Sequence, residues 1–135
     1  MSTQATALEL CLRLARTHAL LAASLDERLG TLHGIGFGDF QLLRQLSQAP
    51  QRRLHRDELG GTLALSPAGL TRALLPLEKI GLLTRQQDAA SLTPAGQAML
   101  PAALETAQLI CRRMLEKAPD ERALVAALEQ LPDLT

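Results

Sequence analysis

Three sets of residues in this chain of 135 have types and spacings that could do chemistry: two cysteines, three histidines and a group of arginines around residues 52–85. Cys11 and Cys111 lie far apart with no CxxC pairing, which suggests neither a zinc ribbon nor a disulfide framework. They are expected to be free thiols in a reducing compartment, packed as small hydrophobes on apolar helical stripes. His18 follows Cys11 by seven residues, two helical turns on roughly one side, but without HxxxH or HxxE spacing. No metal and no cofactor are expected. Formal net charge is zero, yet it is unevenly spread. Residues 1–51 balance four against four, residues 52–85 set Arg52, Arg53, Arg56, Arg72, Lys79 and Arg85 against three acids, and residues 86–135 carry four against seven. Zero net charge over the whole chain does not point to DNA, but its distribution is more informative: a basic middle sits between a neutral start and an acidic tail. No Ser/His/Asp set, paired carboxylates or phosphate-cradling loop stands at a usable spacing, which argues against an enzyme.

The elements that must position these residues are mostly helical. Hydrophobic residues make up 47% of the chain, and the aromatic ones are Phe37 and Phe40 alone. The core must therefore be Leu and Ala, which favours close helix packing and provides no aromatic platform for single strands; duplex DNA is the nucleic acid to consider. There is no apolar run of eighteen residues and no basic-plus-apolar leader over Met1 to Ala7, so a soluble, cytoplasmic protein is expected.

Periodicity predicts a helix from about Thr6 to Leu29, apolar on more than one side, which calls for a partner subunit as well as an internal core. Gly30 to Gly38, with four glycines, reads as a loop, and Asp39 to Gln48 as a second helix. Leu54 to Leu65 reads as a third helix. Ser66-Pro67 is an N-cap followed by proline at the first helical position, opening a fourth helix that stops at Gly81. Leu82 to Gln86 and Ala90 to Thr93 read as a hairpin around Gln87-Asp88-Ala89. Thr93-Pro94 repeats the cap signal before a long helix to about Lys117, and Pro119-Asp120-Glu121 opens a last one to Leu131.

Short helices followed by a hairpin make a winged helix-turn-helix: mainly α, with a small β-hairpin wing, in one domain. Its recognition helix would begin at Ser66 and present Ser66, Ala68, Gly69, Thr71 and Arg72, with Leu70, Leu74 and Leu77 inward. Small residues permit close approach to bases, Thr71 can bond a base or phosphate, and Arg72 can reach a guanine edge or a phosphate. The plainer alternative is a capped surface helix with one solvated arginine.

The string LHRDELGGTLALSPAGLTRALLPLEKIGLLTR, followed by SLTPAGQAML, resembles the MarR family of bacterial transcription regulators. ELGGTLALSPAGLTRAL matches its helix-turn-helix and LEKIGLLTR the run into its wing. GIGFGDFQLLRQL resembles the preceding helix, so the likeness covers roughly residues 34–100. The resemblance implies a single domain over 1–135, with a winged lobe at 30–100 and dimerisation helices at 6–29 and 94–131. It implies a homodimer on a pseudo-palindromic operator, a repressor released by a small ligand or cysteine oxidation.

Two departures bear on that function. The wing tip, Gln86-Gln87-Asp88-Ala89-Ala90, is short and lacks the arginine with which the family enters the minor groove. His55 stands where the family opens the preceding helix with Thr or Ser, flanked by Arg53 and Arg56, which could contact phosphate. Arg85 completes the expected DNA-binding set. A blunt wing and zero net charge predict weak, salt-sensitive binding, or a dimeric protein-interaction module of the same fold that has lost DNA binding. The family's hydroperoxide-sensing branch places a reactive cysteine much like Cys11, and Cys111 resembles a resolving cysteine of the other subunit; that branch polarises its thiol with tyrosines, absent here. His18 and His33 are expected to line a ligand cleft between dimerisation helices and lobe, or to face solvent.

Overall fold

The computed structural model describes residues 3–118 and 120–132. Pro119, expected to open the last helix, lies outside the described residues. Along the chain come α1 (Thr3–His33), α2 (Phe37–Gln48), a 3₁₀ turn (Pro50–Arg52), β1 (Arg53–His55), α3 (Arg56–Leu63), α4 (Pro67–Lys79), β2 (Leu83–Gln86), β3 (Ala89–Leu92), α5 (Pro94–Met114) and α6 (Glu121–Glu129). The strands form one antiparallel sheet in the order β1-β3-β2. The mainly α, winged architecture expected from the sequence is present.

The glycine-rich loop is shorter than expected. A single glycine in a helix costs only about 1 kcal/mol, and Leu29, fully buried, holds the last turns of α1 on the core, so the helix runs through Gly30 to His33. Gly34, at φ +71°, then turns the chain. Two carboxylates start α2 two residues earlier than Asp39: Asp26 Oδ1 accepts the Phe37 N–H at 2.7 Å, and Asp39 Oδ2 accepts the Gly36 N–H at 2.9 Å. Asp26 comes from α1, so it fixes the angle between the two helices as well as the cap.

Leu54 is not in a helix. Gln51 and Arg52 take left-handed backbone angles that swing the chain onto the sheet edge, where Arg53, Leu54 and His55 pair with Ser91, Ala90 and Ala89. The expected hairpin is thus three-stranded, and the third helix begins at Arg56. A three-residue strand carries too little alternation for period-2 patterning to reveal it.

The core runs through Leu25 and Leu29 of α1, Phe40, Leu43 and Leu46 of α2, Leu59, Leu70, Leu74 and Leu77 of α3 and α4, Leu92 of β3 and Ala103 of α5. Gly96 lets α5 approach the wing closely, because a Cβ there would collide with the Leu82 carbonyl. The ends of the chain are different. Residues 6–20 of α1 are exposed at every position, with Leu8 at 62% and Leu12 at 61%, and every described residue from Asp120 to Pro132 is exposed. No helix among the described residues is long and apolar enough to cross a membrane.

Candidate nucleic-acid interface

The helix-turn-helix is built around one strained residue. α3 ends on Ala64 at φ 55°, ψ 44°, a left-handed conformation that costs a residue with a Cβ about 1–2 kcal/mol. The Leu65 N–H donates to the Gly60 carbonyl at 2.9 Å, closing the turn, and Ser66 follows as the N-cap of α4, its Oγ accepting the Gly69 N–H at 3.1 Å. His55 caps α3 in the same manner, with Nδ1 accepting the Asp57 N–H at 3.2 Å. It therefore fills the role of the hydroxyl residue that the sequence comparison found missing.

Arg56 ties three elements together. Its Nη2 donates to Thr71 Oγ1 at 2.6 Å and to the Pro67 carbonyl at 3.3 Å, while its backbone N–H donates to the Asp88 carbonyl at the wing turn, 2.7 Å away. Thr71 Oγ1 in turn donates to the Pro67 carbonyl at 3.1 Å. The hydroxyl expected to reach a base or phosphate is thus engaged inside the motif. Arg72 and Ala68 are exposed on the same side of α4, opposite the buried Leu70, Leu74 and Leu77, and no ion pair or hydrogen bond holds Arg72 among the described residues.

The arginines do not all share one face. Cross-strand pairing sets Arg53 with Ser91 and Thr84, and His55 with Ala89 and Gln86, on one side of the sheet. Leu83, Arg85, Ala90 and Leu54 take the other side, towards α4. There Arg85 Nε donates to Glu78 Oε1 at 3.0 Å and its backbone N–H to Glu78 Oε2 at 3.1 Å. The guanidinium hydrogen bond holds the Glu78 carboxyl below its ordinary range, with desolvation opposing it and the Arg85 backbone N–H and positive charge adding to it. Sequence reasoning missed Glu78. The signal lay in its position three residues before Gly81, at φ +84°, which folds the chain back so that Arg85 returns alongside it.

No family model matches the sequence, and no curated protein matches it. Solved structures do. The transcriptional regulator BldR from Sulfolobus solfataricus is 23% identical over 96% of each chain, with a TM-score of 0.88. A MarR family transcriptional regulator from Streptomyces coelicolor, in complex with DNA, is 22% identical over 96% of this chain and 85% of that one, at 0.82. A MarR family protein of Mycobacterium tuberculosis, also in complex with DNA, is 30% identical over 92% of this chain and 98% of its own, at 0.72. The chain belongs to the MarR family. In this MarR-family chain the wing turns on Gln87-Asp88, between β2 and β3.

The remaining candidates of this MarR-family chain are scattered. Cys11, expected to be buried, is exposed within one chain because the first half of α1 extends past the packed body; Cys111 is half-buried against the core from α5. His33 Nε2 is hydrogen-bonded to Thr106 Oγ1 at 2.8 Å, which links α1 to α5, and Thr106 Oγ1 also lies 3.3 Å from the Ala102 carbonyl. His18 is exposed. Fifteen residues of helix separate the two histidines, about 22 Å along the axis, so one chain does not bring them into a common cleft.

Proposed function

We propose that the protein is a homodimeric, sequence-specific double-stranded DNA-binding transcription regulator, a repressor released by a small ligand or by cysteine oxidation. The observation that carries this reading is the exposed side of α4: a helix capped at Ser66, with small Ala68 and unpaired Arg72 outward and its Leu face locked to the core. Support comes also from the 30%-identical solved structure, whose protein is in complex with DNA. In this reading residues 30–100 are the winged lobe of a single domain spanning 1–135. The helices of 6–29 and 94–131 are the dimerisation elements, whose exposed leucines suit a second copy. In the same reading Arg53, His55 and Arg56 would contact phosphates of a pseudo-palindromic operator. Recognition helices of the dimer would stand roughly 30–36 Å apart, about one turn of duplex.

Release by oxidation would run from the Cys11 thiolate. A hydroperoxide transfers one oxygen to it, leaving as the alcohol, and the sulfenic acid condenses with Cys111 of the other subunit to a disulfide and water. A dimeric protein-interaction module is the second reading, favoured by the occupied Arg85 and the wing turn without a basic residue.

The test is a fluorescence-polarisation titration against the gene's own upstream region and a scrambled duplex, at two salt concentrations, with and without an organic hydroperoxide. Preferential binding that is lost on oxidation and restored by dithiothreitol supports regulator and redox switch together. Binding indifferent to oxidant points to a small-molecule effector. No preference for the upstream region over the scrambled duplex at low salt favours the protein-interaction reading.

A further inference from the structure

The hydrogen-bond inventory of α4 limits which bases it can read. We infer that this helix specifies guanine through Arg72 and flanking thymine methyls through Ala68 and Leu75, and makes no bidentate contact to adenine or cytosine. The inference rests on the DNA-binding reading above.

A major-groove code needs particular side chains: Arg or Lys for guanine O6 and N7, Asn or Gln for adenine N6 and N7, an acid for cytosine N4, and an apolar group for the thymine methyl. Between Pro67 and Lys79 the helix has no Asn, Gln or Asp. Its one acid, Glu78, is held by Arg85 through both carboxylate oxygens. Thr71 Oγ1 gives its proton to the Pro67 carbonyl and accepts from Arg56, so it has no proton left for a purine N7 or a guanine O6 and at most a single lone pair to offer. Ser66 Oγ accepts the Gly69 N–H and retains one proton, a donor that a phosphate or any purine N7 accepts without discrimination.

What is left on the outward stripe follows the i, i+4, i+7 spacing of one helix face: Ala68, Arg72 and Leu75, all exposed. Lys79 lies a further seven residues from Arg72, about 10 Å along the axis, at the end of the helix away from its capped N-terminus. Arg72 is thus the single charged group on the part of the helix that enters the groove first. It stands between two apolar groups one turn to either side. A guanine beside methyl-bearing thymines is the edge pattern complementary to that stripe.

The experiment is selection of duplexes from a random library by the parent protein and by Arg72→Ala and Ala68→Gly variants, followed by titration of the selected duplex. Uracil is placed at each thymine in turn, and 7-deazaguanine at each guanine. Both side chains are exposed, and circular dichroism of the variants is the control for folding. The expected parent half-site contains a guanine next to thymine. Arg72→Ala should lose that guanine preference, with affinity lower by about 5- to 150-fold. One uracil substitution should weaken parent binding by about threefold and leave Ala68→Gly nearly unaffected at the same position. A selected site that keeps its guanine in Arg72→Ala, or that tolerates every uracil, overturns the inference while leaving DNA binding intact. A parent that enriches nothing overturns the DNA-binding reading and this one with it.

Discussion

The Glu78 carboxylate accepts both the Arg85 guanidinium N–H at 3.0 Å and the Arg85 backbone N–H at 3.1 Å, so one side chain clamps the first wing strand to the last turn of α4. An arginine that looks by type like a DNA contact is thereby engaged within the fold, at the protein surface. Its role is to hold the wing at a fixed angle to the recognition helix.

Arg85→Gln should therefore weaken DNA binding without changing how steeply binding falls with salt. Each phosphate neutralised contributes roughly 0.9 to the slope of log K against log salt. An unchanged slope fits a positioning residue. A slope shallower by about that amount would place Arg85 on the backbone instead. Glu78→Gln is the companion variant: it should weaken binding as Arg85→Gln does, whereas an arginine held back from DNA would be set free by it and bind more tightly.

The clamp also has a sign with pH. Glu78 is held below its ordinary range when folded, so its contribution is fully present above the unfolded value of about 4.3 and declines as pH falls through the lowered one. The stability difference between parent and Glu78→Gln should be constant from neutrality down to about pH 5 and shrink below about pH 4. Denaturant melts across that range measure it. A difference that grows on acidification would contradict the assignment.

Ala64 sits at φ 55° because the turn between α3 and α4 is too short to avoid it. Glycine has no penalty there, so Ala64→Gly should stabilise the protein by about 0.5–1 kcal/mol, raising the melting temperature by roughly 2–5 °C. Thermal denaturation decides the sign. A fall would mean that the alanine methyl makes packing that outweighs the strain.

Much of this architecture was legible because caps and prolines punctuate it. Ser66-Pro67 and Thr93-Pro94 open helices where expected, and Gly81 closes one. The misses have physical causes. Gly30 reads as a breaker, yet the burial of Leu29 carries the helix past it. Leu54 fits a helical period and a strand equally well, and only its pairing with Ala90 decides. The site was half legible. Arg72 and Ala68 follow from the helical face, but that Thr71 and Arg85 are spoken for depends on Arg56 and Glu78 arriving from elsewhere in the fold.

The exposed leucines at the two ends of the chain bear on assembly. Leu12 and Leu124 contribute nothing to the core of one chain, being exposed on α1 and α6. The double variant Leu12→Arg, Leu124→Arg should keep the helical content of the parent yet sediment as a monomer, with operator affinity falling towards that of a half-site. A dimer that survives both changes would place the interface on other surfaces.

Arg56 gives the most discriminating variant of the motif. One guanidinium nitrogen, Nη2, donates to both Thr71 Oγ1 and the Pro67 carbonyl, and it sits at the end of a side chain longer than lysine's, so an ammonium in its place falls short of both acceptors. Arg56→Lys preserves the charge for any phosphate while releasing the first turn of α4, so it should lower operator affinity by about 1–2 kcal/mol with little change in salt slope. Amide exchange should accelerate at Leu70 and Thr71 and remain slow in α2. If Arg56 serves DNA only as a charge, lysine restores binding in full and the exchange pattern does not move.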